Sequence, residues 1–168
     1  DHVYEERLAV APSLTWRPTL NTSLTLYAQY QADPDGGLYN AVPAYGTILP
    51  GKTSIPRNLD VGDPNFDRMS KMEEFIGYIF THRFDKIFSC KQQYRYLYNT
   101  QSIKYLQASG FADASQTTLM RSAYLNEGSV NSHTFDNQLS AKFNTGIVHQ
   151  NILVGFDYQN TAFDHSFW

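Results

Sequence analysis

The sequence predicts an all-β fold, an antiparallel meander of about six strands, and three observations carry that expectation. Apolar and polar residues alternate with period two over long stretches. Aromatic residues make up 15% of the chain, with 12 Tyr and 11 Phe against 2 Trp. Short connections alternate with long ones. Period two marks extended chain, whose side chains point alternately to opposite faces, and abundant Tyr and Phe suit half-buried pleated surfaces. The 42% hydrophobic and 17% charged fractions resemble those of a soluble protein, so pattern rather than composition carries the fold class.

The first strand is expected over Tyr4–Trp16, with Leu8, Val10, Pro12, Leu14 and Trp16 on one face and Arg7, Ala9, Ala11, Ser13 and Thr15 on the other. Arg17-Pro18-Thr19 reads as the turn, because proline cannot donate to a ladder. The second strand, Leu20–Gln31, sets Leu24, Leu26, Ala28 and Tyr30 against Ser23, Thr25, Tyr27 and Gln29. A third, near Met69–Phe84, opposes Ile76, Tyr78, Phe80 and Phe84 to Gly77, Thr81 and Arg83. Past a turn at Asp85-Lys86, a fourth spans Ile87–Asn99, with Phe88, Cys90, Tyr94, Tyr96 and Tyr98 on one face. The last pair is expected over Thr118–Phe143 and Ile147–Phe163, around Asn144-Thr145-Gly146, where glycine supplies a positive φ.

Each strand is apolar on one side and small or polar on the other, as a strand between lipid and a wet lumen must be. The segments near 33–68 and 101–117 read as long and irregular, while the other connections are short. Outer-membrane barrels have this asymmetry, with tight periplasmic turns and long external loops. Most strands exceed the roughly 9–11 residues that cross a bilayer when tilted, and no apolar run approaches the roughly 18 residues of a membrane helix. Six strands fall short of the about eight in the smallest bacterial barrels. Residues 1–168 are therefore expected to be part of a barrel whose neighbouring strands lie outside the chain. Asp1-His2-Val3-Tyr4 has no export-signal character, which implies a removed signal or a start within a longer protein.

Net charge is −3 and the 13 basic residues are scattered, which argues against nucleic acid as a partner. The single cysteine, Cys90, allows no internal disulfide and no CxxC site. The five histidines show no metal-ligand spacing. Asp33-Pro34-Asp35-Gly36 begins like a calcium loop but lacks its remaining ligands and closing glutamate. No nucleophilic triad or pair of buried carboxylates can be assembled, so catalytic and metal sites are expected to be absent and the protein is not read as an enzyme.

The run Arg7-Leu8-Ala9-Val10-Ala11-Pro12-Ser13-Leu14-Thr15-Trp16-Arg17-Pro18, with Asn21-Thr22-Ser23-Leu24-Thr25, resembles the barrel of TonB-dependent outer-membrane receptors for ferrichrome-type hydroxamate siderophores. Further along, Gly46-Thr47, Ile55-Pro56-Arg57, Gly77-Tyr78 and His82-Arg83-Phe84-Asp85 are similar to later segments of that family in the same order. So are Gln138-Leu139, Lys142-Phe143 and Leu153-Val154-Gly155-Phe156-Asp157-Tyr158. The resemblance implies a barrel of about 22 strands around a plug, embedded in outer-membrane lipid. It also implies import of a ferric siderophore with energy supplied by the TonB complex through an N-terminal part that this chain does not contain. Iron would arrive already chelated, as cargo, so no resident cofactor is expected.

The same resemblance suggests site residues. Tyr39 matches a ligand-contacting tyrosine of the family, although Ala41 stands where the family carries a neighbouring tryptophan, and Tyr45 follows six residues after Tyr39. Tyr105 falls close to a tyrosine pair, and Phe167 and Trp168 fall where the family reaches its ligand from the top of a strand. Aromatic rings suit a compact ferric hydroxamate with apolar methylenes outside, and a tyrosine hydroxyl can also meet its polar oxygens. Trp168 equally fits an interfacial girdle. Tyr94, Tyr96 and Tyr98 are assigned to that girdle. The competing reading is a soluble sheet or small barrel binding an apolar or carbohydrate ligand, which would require polar outward faces.

Overall fold

A computed structural model describes residues 4–38 and 40–168. It is a single antiparallel sheet of seven strands: β1 (Glu5–Val10), β2 (Ser13–Thr19), β3 (Thr22–Gly36), β4 (Arg68–Arg83), β5 (Phe88–Phe111), β6 (Leu119–Thr145) and β7 (Val148–Phe167). β1 and β2 both pair with β3, and the order then runs β3-β4-β5-β6-β7. The first expected strand is thus present but divided at Ala11-Pro12. Pro12 has no N–H to give the ladder, yet its carbonyl accepts the Ala28 N–H at 3.0 Å, so β3 continues across the break. Pro18 lies inside β2, at a register shift between Trp16 and Thr19, and not in the turn. The turn is Leu20-Asn21.

Register joins the predicted faces into continuous rows. Leu14 pairs with Leu26, Leu26 with Tyr78, Tyr78 with Tyr94, Tyr94 with Phe135, and Phe135 with Tyr158. The adjacent residues form the opposite face: Ser13, Tyr27, Gly77, Arg95, Thr134 and Gln159. The apolar face is open, with Trp16 62% and Val154 64% exposed. The polar face carries the bidentate Arg7–Asp33 pair, at 2.7 and 3.0 Å. It also carries Asp136, which accepts from Gln93 and Gln138.

Among the described residues only two apolar side chains are buried, Ile55 and Val61, and both lie in the 37–67 connection. The sheet itself encloses no core. A soluble sandwich buries one sheet face against another to offset chain entropy, and this sheet presents its apolar face to whatever surrounds it. That arrangement fits a barrel wall in lipid and disfavours the soluble reading.

Amides interrupt the apolar rows, and two neighbours among them, Gln92 and Asn137, pair with each other. Gln92 donates to Asn137 Oδ1 at 2.9 Å and accepts from the Tyr78 hydroxyl at 2.8 Å. Nearby, the Tyr94 hydroxyl lies 2.9 Å from His133 Nδ1, and the Tyr96 hydroxyl donates to Asn131 at 2.8 Å. Phenol rings with satisfied polar tips are what a membrane–water boundary selects.

Three connections are short: 20–21, 84–87 and 146–147. At the second, Asp85 accepts the backbone N–H groups of Phe88 and Ile87, each at 2.7 Å. Those donors hold its carboxyl below the usual carboxylate range. The feet of successive hairpins are staggered: Phe88, at the foot of β5, faces Ala141, well above Thr145 at the foot of β6. Such one-way stagger accompanies strand tilt in a closing barrel.

The structure corrects one expected connection. Residues 101–117 are mostly ladder, because β5 runs to Phe111 and β6 starts at Leu119, leaving only 112–118 as the turn. A bulge between Ala108 and Gly110 bends the hairpin near its tip. At about 3.4 Å per residue the 24 residues of β5 reach far beyond a hydrocarbon layer about 30 Å thick, even when tilted.

Candidate ligand-binding site

The tall β5–β6 hairpin and the end of β7 bring three rings together on the polar face. Tyr105 is paired with Tyr124, and their rings stack with centroids 5.2 Å apart and planes at 22°. Tyr124 in turn meets Phe167 at 5.9 Å and 36°. Alternation fixes the face: along β5, Tyr105 shares the side of Arg95 and Asn99, and along β7, Phe167 shares that of Asp157 and Gln159. The rings therefore stand beyond the Arg7–Asp33 level, toward the rim that carries the long connection.

One step closer to the short turns lies a polar pair. His165 Nε2 is 2.8 Å from Asn126 Oδ1, and the imidazole stacks on Phe163 at 5.7 Å and 13°. Asn126 is the backbone partner of Phe167, and His165 is that of Gly128. Aromatic wall and polar pair are thus successive steps of one surface.

The 37–67 connection is stitched to the same hairpin. Asp67 accepts the Leu106 N–H at 2.8 Å, just past the last β4–β5 pair at Arg68–Lys104, and its other oxygen accepts from Asn40 at 3.0 Å. Arg121 donates to the carbonyls of Val61 and Gly62, both at 3.1 Å. The Lys52 N–H donates to Gln116 at the hairpin tip, at 2.7 Å. Gly62 packs so closely that a Cβ there would collide with the Asp67 carboxylate and the Asn40 amide.

The expected site residues fall in different places. Tyr105 and Phe167 join one surface through Tyr124, which the sequence reading did not single out. Trp168 exchanges both backbone hydrogen bonds with Leu125, at 2.9 and 3.0 Å, and alternation turns it to the face opposite Phe167. That placement suits an interfacial residue better than a wall member. Tyr45 sits in the stitched connection, 57% exposed, beside a tight loop where Gly46 at φ 87° donates to the Leu49 carbonyl. It has no aromatic partner among the described residues. Tyr39 lies outside the described residues. No cluster of His, Cys, Asp and Glu able to hold a metal ion occurs among the described residues.

Among known proteins, the chain is 39% identical to the ferrioxamine receptor of Yersinia enterocolitica over 160 residues, 95% of this chain and 22% of that protein. It is 35% identical to the ferrioxamine B receptor of Salmonella typhimurium over 161 residues, 94% of this chain and 22% of that protein. It is 28% identical to the ferrichrome outer membrane transporter/phage receptor of Escherichia coli over 182 residues, 98% of this chain and 24% of that protein. No family model matches the chain. The chain spans about a fifth of the length of the curated relatives it matches.

Proposed function

This chain belongs to the family of TonB-dependent outer-membrane siderophore receptors, and on that footing we propose that it forms a stretch of barrel wall that captures a ferric hydroxamate siderophore at the outer mouth. Its apolar face meets outer-membrane lipid. Its polar face lines the lumen, where Tyr105, Tyr124 and Phe167 offer a wall of rings to the apolar flank of the chelate. Iron stays within its chelator, so the wall needs shape and aromatic surface and no metal ligands. Tyr45 lies in the 37–67 connection, and Tyr39 and Tyr45 are assigned as further contacts on the strength of the family resemblance. The rest of the receptor would supply a plug, and the TonB complex would act through it to release the cargo inward. The relatives are receptors and transporters.

The observation that carries this reading is the stack from Tyr105 through Tyr124 to Phe167, on the wet face and beyond the apolar belt. Tyr124→Ala in the full-length receptor removes the middle ring. A buried aromatic contact is worth about 2 kcal/mol, near thirtyfold in affinity, so titration with a ferric trihydroxamate should show a weakening of that order. Tyr96→Ala, on the lipid face, serves as the control and should leave affinity unchanged. An unaltered dissociation constant for Tyr124→Ala would reduce the stack to structural packing.

A further inference from the structure

Resting on that reading, we propose that Gln116, at the tip of the β5–β6 hairpin, is the positioning residue for Tyr45: it fixes the loop that carries this ring against the hairpin that carries Tyr105 and Tyr124. Residues 44–49 form a tight loop in which the Ala44 carbonyl accepts the N–H groups of Thr47, Ile48 and Leu49, at 3.2, 3.1 and 2.9 Å. The Gly46 carbonyl accepts the Ile55 N–H at 2.8 Å. Gly51 lies so close to Gly46 that a Cβ on it would come within 2.6 Å of the Gly46 nitrogen. Ile55 is one of the two buried apolar side chains among the described residues. Tyr45 is therefore carried by one compact body spanning 44–55.

Two hydrogen bonds join that body to the sheet among the described residues, and both end on Gln116. The Lys52 N–H donates to its side-chain Oε1 at 2.7 Å, and the Thr53 hydroxyl donates to its backbone carbonyl. The other fastenings of the connection, Arg121 to Val61 and Gly62 and Asp67 to Leu106, hold its far end. Gln116 makes its contacts from φ 60°, in the left-handed region that residues other than glycine seldom occupy. Glycine would adopt this turn without strain but would offer the Lys52 amide no acceptor. A costly backbone conformation held in place by contacts to a second segment points to a functional constraint. Here the constraint is the spacing between Tyr45 and the hairpin that bears Tyr105 and Tyr124.

A residue that acts through another must be coupled to it. The test uses the full-length receptor with a nitroxide at position 48, where Ile48 is 84% exposed in the same tight loop, together with titration by a ferric trihydroxamate. Gln116→Gly combined with Thr53→Val removes both hydrogen bonds while relieving the backbone at 116. The nitroxide should then pass from an immobilised to a mobile line shape, and affinity should fall about fivefold. Gln116→Glu keeps an acceptor for the Lys52 N–H and should retain both wild-type properties. In a Tyr45→Ala background the same release should cost no further affinity, because the ring it positions is gone. An unchanged line shape or affinity on release, an unaltered affinity for Tyr45→Ala alone, or an equal loss with and without Tyr45 would overturn the assignment while leaving siderophore capture standing. Failure of the wild-type receptor to bind the chelate would overturn the capture reading itself.

Discussion

At the scale of single residues, the two faces of β7 make opposite demands. Val154 stands at the centre of the row Val148, Ile152, Val154 and Phe156, and pairs with Leu139 on the same face. An arginine there would have to carry its charge into hydrocarbon. Val154→Arg in the complete receptor should therefore cost roughly 2–4 kcal/mol of folding stability, measured by denaturant titration in bilayers. Asp157 faces the other way and lies directly opposite Asp136. Like charges across a ladder repel, and Asp136 has amide partners of its own. Asp157→Asn should therefore be neutral or slightly stabilising in the same titration. Equal losses at the two positions would contradict the assigned facing. Gly77 shows a demand that sequence patterning does not display: a Cβ there would strike the Tyr94 carbonyl and the Tyr27 ring, so the glycine lets Tyr27 lie across β4 beside Phe75 at 5.9 Å.

At the scale of elements, legibility followed the environment of each segment. Where a strand is apolar on one face and polar on the other, as in Leu24–Tyr30 or Val148–Phe156, period two is strong and the assigned face agrees with the register. Along Gln101–Phe111 and Leu119–Asn126, polar residues occupy both faces and the period disappears, although the ladder continues. This is why Tyr124 escaped notice while Tyr105 and Phe167 entered only through resemblance. Its partner across the ladder would have revealed it, but register is a tertiary fact. The connection expected near 33–68 is long and irregular over 37–67, with 33–36 belonging to β3, yet nothing local announces that Asp67, Arg121 and Gln116 fasten it to the β5–β6 hairpin. Gly62→Ala tests that fastening, because the added methyl would displace both partners that hold the clasp, Asp67 and Asn40. External protease applied to intact cells should then cleave within 37–67 markedly faster, with the strands still protected. Unchanged cleavage would mean that the connection is held elsewhere.

At the scale of the whole molecule, the decisive property is a sheet with an apolar exterior, a polar interior surface and no core of its own. Its outermost strands, β1 with β2 and β7, present unpaired backbone groups that hydrocarbon cannot tolerate. The closed structure must therefore come from further strands, in keeping with relatives about four to five times as long. The strands where one face is apolar, their facing and the three short turns on one side could be read from sequence, whereas the extension of β5 to Phe111 could not. Nor could the aromatic wall and its polar pair, because they arise from the register between β5, β6 and β7 beyond the stretch where period two is strong. The central claim is that one face of this sheet meets lipid while the other lines the lumen. Spin labels placed singly at positions 152–159 of β7 in the full-length receptor, reconstituted in bilayers, test it most directly. Collision with dissolved oxygen should peak at 152, 154, 156 and 158 and fall at the intervening positions, giving a period of two. A flat profile, or a maximum at 153, 155, 157 and 159, would contradict it.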